Sequence, residues 1–248
     1  MKSQIGEPFF ELSEVDSSNN YAMQRVQAHL AGHGTTWFAH YQNAGKGQRG
    51  KLWNAEPRQN IMMSSIIEPN TLSIENQFVL NAAMALACFD FFNKYAIDKT
   101  SIKWPNDIYW GDRKAGGILI ENVLSGETWK YSVVGIGINI NQTLFPKALR
   151  NPVSLKQITG KTFNVIKLAK ELCRYLDSRW NKLLATPFDE LLKEYCCHLY
   201  RLNEEASFKS QNAILKGLVK GVNEKGELLI ETNKQSVIAY NSLEWLLP

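Results

Sequence analysis

Lys46, Arg49 and Lys51 stand among Gly45, Gly47 and Gly50 in residues 43–60, a stretch whose one acid is Glu56 and which Arg58 makes more basic still. Cations interleaved with glycine suit an anion, because glycine lets backbone N–H groups approach it while the side chains add Coulomb attraction. Residues 45–50 also satisfy G-x-G-x-x-G, the pattern of dinucleotide folds and kinase phosphate loops. Neither fold follows, since residues 52–57 do not open a helix and the chain has no HRD or DFG triplet. An exposed hairpin tip is an equal reading of this segment alone.

Residues 103–108, KWPNDI, place a proline between a tryptophan and an Asn106-Asp107 pair, which forces extended backbone before a polar turn and can aim polar groups inward. Lys114 follows the Gly111-Asp112 turn and precedes Gly116-Gly117, where missing side chains would let a ligand lie on a strand. Gly135 and Gly137 end an apolar strand before Asn139, again a place of close approach to backbone. Each has a plainer reading: a solvated lysine, a turn former, tight strand packing. Ser17-Ser18-Asn19 reads equally as a helix cap. His29, His33, His40 and His198 lack ligand spacing, so no metal site is expected. With no GxSxG, HExxH or Walker loop, any chemistry must come from positive charge and positioning.

Those residues need a scaffold. The chain has 248 residues, 44% hydrophobic and 21% charged, which suits one large domain or one domain with a small appendage. A chain of this length buries roughly 70–75% of its unfolded surface and needs no staple. Its four cysteines, Cys88, Cys173, Cys196 and Cys197, show no CxxC spacing, which points to a reducing compartment. No long apolar leader or span is visible, so a cytoplasmic location without membrane contact is expected. The net charge of +4 is spread along the chain and argues weakly for nucleic acid.

Hydrophobic spacing predicts helices from about Asn20 to Gly32, over 73–95, 165–184 and 188–200. It predicts strands over 35–41, 61–67, 101–103, 108–110, 117–123 and 130–140, with loops over 43–60 and 151–161. Short turns between strands point to an antiparallel or mixed sheet. Further short strands over 213–219, 227–231 and 236–240 suggest a small β barrel appended to an α/β domain. The expected division is residues 1–203 and 204–248.

Taken together, residues 16–19 (DSSN), 41–53 (YQNAGKGQRGKLW), 103–108 (KWPNDI), 113–119 (RKAGGIL) and 135–139 (GIGIN) resemble, in order, the signatures of the biotin protein ligases. The resemblance implies an α/β (α+β) ligase domain with packed helices and an SH3-like form for the C-terminal barrel. Some members carry an N-terminal DNA-binding domain, but here the first block begins at Asp16, so specific DNA binding is not expected.

The resemblance implies that biotin and Mg-ATP give biotinyl-adenylate, and that the biotinyl group passes to a lysine of a biotin carboxyl carrier protein, with no tightly bound prosthetic group. Lys114, Lys46, Arg49 and Asp107 become the candidate catalytic residues, Lys114 bridging carboxylate and α-phosphate. Ser17, Ser18, Asn19, Gln42, Lys46, Gly47, Gln48, Lys114, Gly116 and Gly117 become candidates for biotin. Lys46, Arg49, Lys51, Trp53, Asn106 and Asn139 become candidates for the nucleotide. Lys46, Gln48 and Lys51 stand where the family usually has arginine, and Gln48 removes a cation beside the expected adenylate. The rival readings are a lipoate or octanoate transferase, whose RRxGGG stretch is absent, and a non-catalytic biotin sensor. An exposed strand at the sheet edge could dock a second copy or the carrier.

Overall fold

Residues 61–67, IMMSSII, are β-branched and apolar enough to be buried on both faces, and they form a central strand. The computed structural model describes residues 3–69, 72–149, 151–210, 213–232 and 236–246. The outer ends of the expected division, residues 1 and 248, lie outside them. Strands β1 (Phe9–Leu12), β2 (Thr36–Ala39), β3 (Ile61–Ile67), β4 (Thr100–Lys103), β5 (Asp107–Trp110), β6 (Arg113–Ser125) and β7 (Thr128–Ile138) make one sheet in the order β1-β2-β3-β7-β6-β5-β4. Among the neighbouring pairs of these described strands only β1–β2 is parallel, so the sheet is mixed.

Alternation divides the sheet into two faces. Ile61, Met63, Val134, Ile136, Ile118 and Ile108 point into the main core. There they meet α2 (Gln77–Ala96), whose Ala82, Ala83, Ala85 and Ala87 allow close approach. Phe91 and Phe92 of α2 are fully buried, each contributing about 1.5–3 kcal/mol on leaving water. Helices α4 (Val165–Ala185) and α5 (Phe188–Cys197) complete that layer. Arg179 of α4 joins Asp90 of α2 at 2.6 Å and Glu194 of α5 at 2.7 Å. Helix α1 (Ser18–Gln27) covers part of the opposite face through Ala22 and Val26 against Trp37, Ile66 and Val133.

Several elements depart from the sequence reading. Helix α1 begins two residues before Asn20 and ends at Gln27. Residues 151–161, expected as loop, contain α3 (Leu155–Thr159), opened by a capping box of Ser154 and Gln157. Strands β1, β8 (Glu205–Ser210) and β12 (Glu244–Leu246) were not anticipated, being short or lacking long alternation. With β9 (Ala213–Val222), β10 (Leu228–Glu231) and β11 (Val237–Tyr240), the last two form a second sheet, antiparallel and ordered β11-β10-β9-β8-β12. Among the described residues its outer strands β11 and β12 do not pair, so the expected barrel is not closed. No described helix is long and apolar enough to cross a membrane.

Candidate functional site

The α1 side of the sheet has a floor almost without side chains. Across the strands, Met62 of β3 pairs with Gly137 of β7, Gly137 with Gly117 of β6, and Gly117 with Asp107 of β5. The next row is Ser64, Gly135 and Leu119. A cavity of about 700 Å³ stands on this floor, walled by α1, the glycine loop, the 103–107 corner, Phe145, Ala148, Leu149, Pro152 and part of the C-terminal sheet.

One end is polar. Ser64 Oγ lies 2.8 Å from Ser18 Oγ and 2.6 Å from Asn19 Oδ1, and Asn19 Nδ2 donates to Leu119 O and Glu121. Ser17, Ser18, Asn19 and Ser64 are all buried. A Cβ at Gly135 would fall 2.0 Å from Asn19 Oδ1, so glycine there makes room for the Asn19 amide. Gln42 Oε1 accepts from Ser18 N at 2.6 Å, which fixes the start of α1. Beside it, Asn20 donates to Asp16 and holds that carboxyl below its usual value.

At the other end Lys114 Nζ donates to Asp107 Oδ1 at 2.6 Å. Strand alternation alone would put Lys114 on the face opposite Gly117. A bulge opposite Ile108 and Tyr109 shifts the β5–β6 register, pairing Gly116 with Ile108 but Lys114 with Tyr109, and so turns Lys114 to the cavity. The 103–107 corner is pinned from three sides: Asn81 Nδ2 and Tyr195 OH both donate to Pro105 O, and Trp104 Nε1 donates to Gly226 O at 2.9 Å. The Trp104–Pro105 peptide is cis. Lys103 lies over the rings of Tyr109 and Trp245. Burial pushes the Tyr109 phenol up from its ordinary value, so it stays neutral.

The glycine loop is a small hairpin. Gly47 N donates to Lys51 O at 2.7 Å and Trp53 N to Gly45 O at 2.8 Å, while Arg49 and Gly50 form the tip with positive φ. Trp53 lies flat against Gly137, whose Cβ would meet its ring at 2.4 Å, and its buried indole N–H has no partner. Cations Lys46, Arg49, Lys51, Lys103 and Lys114 line the cavity against two carboxylates, Asp107 and Glu244. The site therefore favours an anion.

Ser17, Ser18, Asn19, Gln42, Lys46, Gly47, Gln48, Arg49, Lys51, Trp53, Asn106, Asp107, Lys114, Gly117 and Asn139 all line this one cavity. Gly116 does not: a Cβ there would meet Gly137 O at 2.8 Å, so its smallness serves the β6–β7 contact. Arg58 also lies outside the lining. Asn106 Nδ2 donates to Ile118 O, and Asn139 Nδ2 donates to Val153 O at 3.1 Å, so both amides brace backbone. Sequence reasoning passed over Leu119, Phe145, Leu149 and Pro152, and over Leu243, Glu244 and Trp245 of the C-terminal sheet. Period-two spacing from Gly117 would have found Leu119; nothing local marks the others.

A flat apolar floor, a polar end and a cationic end define a protein that can hold a small organic acid against a phosphate-bearing ligand. The chain belongs to the biotin/lipoate A/B protein ligase family, whose sequence profile matches residues 12–139, just over half of its length. It is 28% identical over 232 residues to the biotin--[acetyl-CoA-carboxylase] ligase of Paracoccus denitrificans, covering 88% of this chain and 92% of that one. It is 25% identical over 237 residues to the bifunctional ligase/repressor BirA of Bacillus subtilis, covering 94% of this chain and 73% of that protein. Among solved structures, biotin protein ligase from Aquifex aeolicus in complex with biotin and ATP superposes with a TM-score of 0.81 at 25% identity, covering 100% of both chains.

Proposed function

We propose that this protein is an ATP-dependent biotin protein ligase. The observation that carries the reading is the placement of Lys114, paired with Asp107 at 2.6 Å, across a glycine floor from the polar Ser18–Ser64–Asn19 end. Biotin would lie between them, its ureido ring at the polar end, where its polar atoms would find the partners that burial demands, and its carboxylate at Lys114. Gly117, Gly135 and Gly137 leave room on the sheet for Lys114, Asn19 and Trp53, the side chains that would surround the ligand. The Aquifex relative, which holds biotin and ATP, supports the same pair of substrates here.

In the first step a biotin carboxylate oxygen attacks the α-phosphorus of ATP, and the bond to the β-phosphate bridging oxygen breaks, releasing pyrophosphate. Two anions must meet, so Lys114 lowers their repulsion and stabilises the charge that builds on the α-phosphate. Lys46, Arg49 and Lys51 cover the phosphates, and Trp53 gives adenine a face. In the second step the carrier lysine, as a neutral amine, attacks the acyl carbon; the acyl–phosphate bond breaks and AMP leaves. Asp107, beside Lys114, is placed to take the amine's proton. Asn106 and Asn139 act through the backbone they brace, and Ser17 and Gln42 through the start of α1.

Mg²⁺ would arrive on the ATP phosphates, since among the described residues no group of three His, Cys, Asp or Glu side chains gathers to hold a metal. In this reading residues 1–203 hold both substrates, and residues 204–248 close one side of the cavity through Leu243, Glu244 and Trp245. A homodimer would pair two copies along β1, an outer strand of the large sheet, and sedimentation with biotin and ATP tests it. A cytoplasmic setting fits the four free thiols.

Biotin-dependent exchange of labelled pyrophosphate into ATP tests the first step without a carrier. Exchange with biotin but not with lipoate or octanoate is expected. Exchange with lipoate alone would transfer the reading to the lipoate branch, and tight biotin binding without exchange would make the protein a sensor.

A further inference from the structure

Glu121 has no place in the reaction just described, yet it touches both the polar end of the cavity and the glycine loop. It continues the cavity-side row Gly117, Leu119, Glu121 on β6, one step beyond the residues that line the cavity. Its Oε2 accepts from Asn19 Nδ2 at 2.9 Å and its Oε1 accepts from Lys46 Nζ at 3.2 Å. With Ser64 joining Ser18 to Asn19, a continuous hydrogen-bonded chain runs from the polar end, through Glu121, to the glycine loop. Lys46 is also the residue that pairs with Leu52 at the neck of the loop hairpin, so what holds Lys46 holds residues 45–53.

We propose that Glu121 is a positioning residue that couples the acid-recognition end of the cavity to the glycine loop: one carboxylate oxygen sets the Asn19 amide, the other tethers Lys46 and with it the loop hairpin. The geometry leaves little freedom at Asn19. Its Nδ2 is turned to Glu121 and Leu119 O, its Oδ1 to Ser64, and Gly135 lies directly beneath. A ligand that fixes Asn19 fixes Glu121 as well, and so favours the hairpin position that Lys46 anchors. The tether is partly open, with Lys46 41% and Glu121 31% exposed, so its effect is a modest bias of about two- to fivefold.

Hydrogen–deuterium exchange across residues 45–53 of the ligand-free protein reads the tether directly in wild type, Glu121→Gln, Lys46→Gln and the double variant. Glutamine keeps an acceptor for Asn19 while removing the charge. Each single variant is expected to speed exchange about two- to fivefold, and the double variant to be no faster than either. Unchanged exchange, or effects that add in the double variant, would overturn the proposal. Should Glu121→Gln not fold, Lys46→Gln changes the outer partner and decides the same point.

The coupling half rests on the reading of biotin and ATP as substrates. There, biotin and a non-hydrolysable ATP analogue should tighten each other's binding in wild type and lose that mutual effect in Glu121→Gln, with KM for ATP raised and kcat little changed. An equal mutual effect in the two proteins, or a lower KM for ATP in the variant, would contradict it. A wild type that catalyses no biotin-dependent exchange would sink the functional reading, while the deuterium experiment would still decide the tether.

Discussion

Lys114 and Asp107 are 34% and 22% exposed, so their contact is a pair that an anion can enter rather than a sealed structural bridge. That exposure leaves Lys114 open to an anion, as its proposed role in adenylate formation requires. Lys114→Ala should lower kcat for adenylate formation by about a hundred- to a thousandfold, the size of effect seen when one aimed donor to a developing negative charge is removed. Biotin binding measured by calorimetry should fall far less, since the polar end is intact; equal losses in both would make Lys114 a binding residue only. Gln48 lines the same cavity without a charge. Gln48→Arg should slow release of free biotinyl-adenylate about tenfold, one charge-assisted hydrogen bond's worth, and equal release rates would show that the loop holds the intermediate by other means.

At the scale of elements, three glycines on two adjacent strands, β6 and β7, and a bulge on β6 do the positioning. Gly137→Ala would drive a Cβ into the Trp53 ring, at 2.4 Å, so the ring must leave the floor. The expected result is a KM for ATP raised about tenfold, with a smaller change for biotin; an unchanged KM for ATP would remove Trp53 from the nucleotide site. Helix α3 is held by its capping box, and Ser154→Ala should cost about 1 kcal/mol of stability, read from denaturant midpoints. That box was visible in the sequence as Ser154 and Gln157, but five helical residues give too little periodicity to announce a helix. Strand β3 was legible as an apolar run long enough for a strand buried on both faces, and the long helices through the sustained apolar spacing that burial imposes. The site was legible through its unusual residue types, glycine beside lysine, proline before Asn-Asp. The bulge that turns Lys114 inward was not, since register is set by pairing partners rather than by the strand's own residues. For the same reason Gly116 looked like part of a ligand floor, although its lack of a side chain serves the neighbouring strand.

Across the whole molecule, the C-terminal sheet is fastened to the corner that carries Asp107. Gly226, at φ +80°, lies with its Cα against Phe78, where a Cβ would come within 2.4 Å, and its carbonyl accepts from Trp104. Gly226→Ala should therefore lower the melting temperature and the turnover together, and turnover lost without any change in melting would point to a local effect instead. A second fastening joins Asp112, in the β5–β6 turn, to Tyr200 and Arg201 ahead of β8. The Tyr200 hydroxyl hydrogen-bonds Asp112 and holds its carboxyl below the usual value, while burial, first, and this bond push the Tyr200 phenol up to about 12. A carboxyl with a lowered pKa when folded adds stability that is complete above about pH 4 and lost as pH falls through the folded value. The melting difference between wild type and Asp112→Asn should thus be largest near neutrality and shrink in acid, and a difference that grew in acid would reverse that sign.

These scales meet in one claim, that the cavity joins biotin to a protein lysine at the expense of ATP. Intact-mass spectrometry of a biotin carboxyl carrier domain incubated with the protein, biotin and Mg-ATP tests it most directly, with Lys114→Ala and lipoate in place of biotin as parallel samples. A gain of one biotinyl group is expected with the wild-type protein and biotin, the same gain about a hundredfold or more slower with Lys114→Ala, and none with lipoate. Unmodified carrier in all three, or a lipoyl gain in place of the biotinyl one, would contradict it.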